Sequence, residues 1–171
     1  VEGRIVNGTA GAGALPGLTV LFHQESPARH EHLEAVTDQS GLFRFQDIVF
    51  DAQALYGVSV SYLGALYGTD LELSAGSPTP VTVTVYDATD EDASIGVPSV
   101  SLLLSNVDGP SQTLWALEIV RLKNASDRTY MPGPEPMKLL RFGLPPGARG
   151  LRVDTGLKGG DILQVDRGFA L

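Results

Sequence analysis

Along the first half of the chain, hydrophobic residues recur at every second position. Val81-Thr82-Val83-Thr84-Val85-Tyr86 is the clearest case: three valines fall on one side of an extended chain, with Thr and Tyr on the other. Leu18, Val20 and Phe22 alternate in the same way, as do Tyr56, Val58, Val60 and Tyr62, and Phe43 and Phe45 flank an outward Arg44. A period of two predicts half-buried strands. Seven are expected, near 1–7, 17–23, 31–37, 41–47, 55–63, 66–73 and 79–87. This number of short strands fits a Greek-key sandwich, with a core of Val20, Phe22, Phe43, Phe45, Val81, Val83 and Val85. No segment repeats apolar residues at helical spacing behind a cap, so few helices are expected.

The rhythm breaks at Asp87-Ala88-Thr89-Asp90-Glu91-Asp92-Ala93-Ser94, where no residue is large and apolar. A boundary is expected here. Residues 1–88 read as one sandwich, 89–96 as an acidic linker and 97–171 as a second β-rich module, a strand or two short of closure. Strand patterning resumes near 97–106 and 112–123. In the latter run Leu114, Ala116, Glu118, Val120 and Leu122 share one face, and Trp115, Leu117, Ile119 and Arg121 the other. Two largely apolar faces predict a central strand covered on both sides. A turn-rich stretch, Pro132-Gly133-Pro134-Glu135-Pro136, precedes shorter strands expected near 138–144, 150–154 and 161–166. The fold class expected is all-β, in two β-sandwich modules.

Composition narrows the function classes. The 171 residues include no Cys, which excludes disulfides, thiolate zinc sites and a Cys nucleophile. A formal net charge of −8 and a pI of about 4.7 argue against nucleic acid, which needs clustered Lys and Arg. The same charge favours solubility. No run approaches the roughly 20 apolar residues of a membrane-spanning helix. Val1-Glu2-Gly3-Arg4 lacks an initiating Met and the regions of a signal peptide, so the chain reads as mature or trimmed.

Four motifs follow one another in the first half: Val1-x-Gly3-x-Ile5, a Gly-rich link to Leu15-Pro16-Gly17-Leu18-x-Val20, Thr37-Asp38-x-x-Gly41-x-Phe43-x-Phe45, and Tyr56-x-Val58-x-Val60-x-Tyr62. In their order and spacing, residues 1–88 resemble the carboxypeptidase regulatory-like family of transthyretin-like sandwiches. The resemblance implies a seven-stranded transthyretin-like or Ig-like fold and an accessory role beside enzymes, in outer-membrane receptors or in surface proteins. It implies no peptidase activity. The Gly8–Pro16 connection looks looser than in the family. The second half, around Leu139-Leu140-Arg141-Phe142-Gly143-Leu144-Pro145-Pro146-Gly147, is distantly similar to regions that follow such modules in exported bacterial proteins.

Several constellations carry candidate chemistry. His23, His30 and His32 lie close in sequence. If 24–29 form a hairpin loop, His23 falls near His30, while His30, His32 and Glu34 share a strand face. Three imidazoles and a carboxylate suit zinc or copper; the plain alternative is a solvated hairpin tip. Asp87, Asp90, Glu91 and Asp92 offer oxygens to calcium, although the EF-hand spacing is missing and a solvated linker explains them as well. No Gly-x-Ser-x-Gly elbow and no phosphate-cradling Gly-rich loop occurs, so no enzyme is expected. Tyr62, Tyr67, Tyr86 and Trp115 could stack on surface glycans, but they are spaced as strand residues that cover a core. Asn7-Gly8-Thr9 and Asn124-Ala125-Ser126 are glycosylation sequons.

A non-catalytic structural or interaction protein at the cell surface or outside the cell is therefore expected, with other chains, and first of all itself, as partners. The alternatives are an accessory subunit docked on a membrane-anchored complex, or a carbohydrate-binding module. The chain stops at Val165-Asp166-Arg167-Gly168-Phe169-Ala170-Leu171, within apolar patterning. Strand addition between neighbours through either end is one reading; closing strands beyond residue 171 are the other.

Overall fold

The structure, a computed structural model, describes residues 1–27, 29–74, 80–133, 139–155, 162–165 and 167–171. The chain is all-β. The first seven strands are β1 (Glu2–Asn7), β2 (Thr19–Ser26), β3 (Arg29–Val36), β4 (Leu42–Arg44), β5 (Leu55–Tyr62), β6 (Ala65–Leu71) and β7 (Pro80–Val85). They form two sheets, β4-β1-β7 and β3-β2-β5-β6. The pairs are antiparallel except β1 with β7, which run parallel from Glu2↔Pro80 to Asn7↔Val85.

Alternation decides which side of each sheet turns inward. Ile5, Phe43, Val81, Val83 and Val85 from the three-stranded sheet pack with Val20, Phe22, Tyr56, Val58 and Val60 from the four-stranded one. Phe45, just past β4, joins them: its ring centroid lies 5.5 Å from that of Phe22 and 5.7 Å from that of Phe43. Every residue expected in the core is buried here. Burying such a side chain is worth roughly 1.5–3 kcal/mol, which is what holds the two sheets face to face.

The Thr37-Asp38-x-x-Gly41 turn connects them. Thr37 Oγ1 donates to the Leu15 carbonyl (2.7 Å) and accepts from the Leu18 N–H (2.9 Å). Asp38 Oδ1 accepts from the N–H groups of Ser40 (2.8 Å) and Leu42 (2.9 Å). Gly41 takes φ 78°, and its carbonyl accepts from the Ile5 N–H at 2.8 Å. The turn is thereby tied to the middle of β1.

On the inward face of β2, Val20 and Phe22 are followed by two buried polar residues, Gln24 and Ser26. Gln24 on β2 is 1% exposed, and its Nε2 has no hydrogen-bond partner. An unsatisfied buried amide costs about 1–3 kcal/mol. Gln24→Met keeps the volume and removes the orphan donor. It is expected to raise stability in urea unfolding by about 1 kcal/mol; a loss would show that the amide is satisfied in solution.

Beyond β7 come β8 (Ala88–Thr89), a single 3-10 turn (Asp92–Ser94), the long strands β9 (Ile95–Asp108) and β10 (Thr113–Asn124), and the short strands β11 (Thr129–Tyr130), β12 (Arg141–Gly143), β13 (Leu163–Val165) and β14 (Gly168–Ala170). The chain divides into two compact units, Val1–Asp90 with Asp127–Leu171, and Glu91–Ser126. The chain thus leaves the first unit within the acidic stretch. The residues expected to form one module, 97–171, are shared between the two units.

The return to the first unit is made by polar contacts. Thr9 Oγ1 donates to the Asp127 carbonyl (3.0 Å) and accepts from the Asp87 N–H (2.8 Å), and the Asp127 carboxylate accepts from the Ala10 N–H (2.8 Å). β11 pairs parallel with β8, and the Tyr67 hydroxyl meets Thr129 Oγ1 at 2.6 Å. The Gly-rich connection, expected to be loose, is anchored through the buried Thr9. Further on, β12, β14 and β13 form a small sheet in which the Phe142 and Phe169 rings stack at 4.8 Å. Residues 150–154, expected as a strand, carry none: Gly150 turns at φ 67°, which breaks the extended run. The expected Pro-rich turn lies outside the described residues from Pro134 to Pro136, as do positions 79, 138, 161 and 166 at the edges of expected strands.

In the second unit β9 and β10 make a two-stranded antiparallel ribbon, from Ile95↔Asn124 to Asp108↔Thr113. β9 carries an extra residue at two irregularities, with Asn106 at φ 47° beside one of them. Val100, Leu102 and Leu104 lie opposite Val120, Glu118 and Ala116 on one face. Leu103 lies opposite Leu117 on the other, with Ser101 opposite Ile119 and Ser105 opposite Trp115. This corrects the expectation from sequence. The pattern of β10 predicts a central, covered strand, yet β10 pairs with β9 alone among the described residues. Leu114, Trp115, Leu117 and Ile119 are each more than half exposed, Trp115 at 71%. Apolar residues on two faces reveal that a strand needs cover; they do not reveal that its own chain supplies it.

Candidate functional site: an imidazole square on the four-stranded sheet

The outward face of the β3-β2-β5-β6 sheet gathers the histidines. β2 runs on through Ser26, so the hairpin loop is shorter than the 24–29 expected from sequence, and the pairing shifts accordingly. His23 stands opposite His32, not near His30, and His30 stands opposite Glu25. Glu34 lies one step further, opposite Leu21. The four side chains of His23, Glu25, His30 and His32 therefore form a two-by-two square on one face of the hairpin.

On the other side of β2, Gly57 lies beside His23 and Ser59 beside Leu21; β6 then sets Asp70 beside Gly57 and Gly68 beside Ser59. Two glycines without side chains leave a shallow groove of about 300 Å³, bordered by His23, Glu25, Leu55, Ser59, Leu66 and Asp70.

His23 is the best-fixed member of the square. Its Nε2 lies 2.7 Å from Ser59 Oγ, and its Nδ1 lies 2.9 Å from His32 Nδ1, the two rings meeting edge to face at 4.9 Å. Burial, and then the neighbouring His32, hold its pKa below the ordinary imidazole value, with Glu25 pulling the other way. The imidazole is therefore mainly neutral at pH 7. A serine hydroxyl on a histidine resembles half of a hydrolytic triad, but a triad needs a carboxylate behind the imidazole. Behind His23 stands His32. His30 Nδ1 and Glu25 Oε2 are hydrogen-bonded to each other at the surface.

Among the described residues, no three His, Asp or Glu side chains converge as a metal-binding group. Asp87, expected as a linker ligand for calcium, is occupied otherwise. Its Oδ1 accepts from Asn7 Nδ2 (2.8 Å) and from the Tyr62 hydroxyl (2.9 Å), and Arg128 lies 3.8 Å from Oδ2. The hydrogen bond from Asn7, then that from Tyr62, hold the Asp87 carboxyl below its usual value; burial, then the bond to Asp87, push the Tyr62 phenol up. Asp90 and Asp92 are exposed, and Asp92 opens the 3-10 turn.

The sequons differ in the same way. Asn7 has its amide on Asp87 and Tyr62 and its oxygen on the Thr9 N–H (2.9 Å), so a sugar there would leave one N–H for these two partners. Asn124 is exposed, its carboxamide oxygen accepting from the Ser126 N–H (3.0 Å) and hydroxyl (2.8 Å). Of the four aromatic residues that could stack on glycans, Tyr62 and Tyr67 pack against the sandwich core. Tyr86 is half-buried, and Trp115 is on the ribbon.

Ser59 and Glu25 do not stand out in the sequence. Their places beside His23 and His30 depend on strand register, and no local pattern announces it. Comparison with protein-family models, with curated proteins and with solved structures found no match to this chain.

Proposed function

We propose that the chain is a non-catalytic, extracytoplasmic structural protein that assembles with further copies of itself by covering and extending the β9–β10 ribbon. One observation carries the reading. Ten large apolar residues of this ribbon, Val97, Val100, Leu102, Leu103, Leu104, Val107, Leu114, Trp115, Leu117 and Ile119, are each 53–78% exposed. A two-stranded hairpin alone is marginal in water and needs a third strand or a packed face. Covering these side chains would contribute on the order of 10 kcal/mol, and exposed apolar patches of this size mark contact surfaces.

Among the described residues each strand of the ribbon also has an open edge, which invites strand addition. The chain ends offer less. β1 already lies between β4 and β7, and β14 between β12 and β13. The extracytoplasmic placement and the accessory role rest on the resemblance of residues 1–88 to carboxypeptidase regulatory-like modules, which the three-plus-four arrangement of strands supports.

Sedimentation velocity of the wild type and of a Leu102→Lys/Leu117→Lys variant, one charge on each ribbon face, tests the proposal. The wild type is expected to form multimers in the micromolar range, and the variant to remain monomeric with unchanged melting of the sandwich. A monomeric wild type, or a variant that assembles equally well, would overturn it.

A further inference from the structure

We infer that His23 and His32 chelate a divalent transition-metal ion through their Nδ1 atoms, water completing its coordination. The two nitrogens lie 2.9 Å apart. Metal–nitrogen bonds of about 2.0–2.1 Å place two donors at that separation when they subtend a right angle at the ion, as in square or octahedral copper and nickel sites. A tetrahedral zinc ion asks them to part by only a few tenths of an ångström. The pair is set on neighbouring strands of a four-stranded sheet, with β2 held between β3 and β5. The backbone carrying both rings is thus already in place, and the ion replaces the proton shared between the two nitrogens.

The surroundings fit a ligand pair. When Nδ1 binds metal, the ring proton of His23 belongs on Nε2, and Ser59 Oγ is 2.7 Å away to accept it. Such outer hydrogen bonds fix tautomer and ring orientation in metal sites. Glu25 follows His23 on the same face of β2, where its charge favours a cation nearby. Two imidazole donors favour copper, zinc or nickel over magnesium or calcium. The competing reading is a plain N–H···N hydrogen bond between two neutral rings.

Calorimetric titration of the tag-free full chain with Cu²⁺ and with Zn²⁺, against Mg²⁺, separates the two. One equivalent of Cu²⁺ or Zn²⁺ is expected to bind and to raise the melting temperature, while Mg²⁺ does neither. His23→Gln and His32→Gln should each weaken binding by about 100-fold or more, and Ser59→Ala by about 10-fold. His30→Gln, at another corner of the square, should leave it within a few-fold. All these positions face outward, and unchanged melting of the metal-free variants shows that each folds. No saturable binding, equal binding of Mg²⁺, or Cu²⁺ binding untouched by His23→Gln and His32→Gln would overturn the inference. The result does not depend on assembly, because the Leu102→Lys/Leu117→Lys variant is expected to bind the ion as the wild type does.

Discussion

Phe45→Ala is expected to lower the free energy of unfolding by about 3–5 kcal/mol in denaturant titration. Phe45 is buried, in ring contact with Phe22 and Phe43, and the Phe22 ring in turn lies 5.8 Å from Tyr56. Truncation opens a void between the two sheets. The void cannot collapse readily, because the backbone at Phe45 is bonded twice to Val1. Its N–H donates to the Val1 carbonyl at 2.8 Å, and its own carbonyl accepts from the terminal amine of Val1 at 3.0 Å. A rigid rim keeps the cavity open and puts the cost toward the upper part of the range. A loss below about 1 kcal/mol would mean that the strand parity around β4 is wrong, since a one-residue slip turns every side chain to the other face.

Gly41→Ala should be nearly as damaging, at about 2–4 kcal/mol. At φ 78° a residue with a Cβ is already disfavoured by about 1–2 kcal/mol. The added methyl would also sit 2.6 Å from the Ile5 carbonyl oxygen, a backbone atom that cannot swing aside. Relieving the clash means parting Gly41 from β1, which breaks the hydrogen bond from the Ile5 N–H. Gly13 provides the control. A Cβ there meets nothing within 4 Å, so Gly13→Ala should change stability by less than about 0.5 kcal/mol. Equal effects at both positions would show that composition of the turns, and not the geometry of this one, sets their importance.

The sandwich is legible in the sequence because each of its sheets has a dry face and a wet one. Val81, Val83 and Val85 can satisfy a period of two only by facing one core, and they do so together with Val20 and Phe22. The histidine square is legible only in part. The closeness of His23, His30 and His32 is plain, but their pairing depends on how far β2 extends before the turn, and nothing around Pro27 specifies that length. The return of Asp127 and Thr129 to the first unit is hidden for a related reason. It rests on polar links between residues far apart in sequence, Thr9 with Asp127 and Tyr67 with Thr129, and these leave no local periodicity.

The ribbon shows where sequence patterning stops. The two apolar faces of β10 are visible in the sequence, and they mark a strand that must be covered. Whether the cover comes from the same chain or another is a question of partners, on which the alternation of residues is silent. Other copies of the chain are the proposed cover.

Amide hydrogen exchange followed as a function of protein concentration tests that assignment most directly. Within the ribbon, amides that point from β9 and β10 toward the open edges have no ladder partner among the described residues and should exchange quickly when the protein is dilute. With copies adding to the ribbon, these outward amides between residues 95 and 124 are predicted to become protected as concentration rises, while protection in β1–β7 stays constant. Outward amides that exchange freely at every concentration, with the sandwich fully protected throughout, would contradict self-assembly through the ribbon.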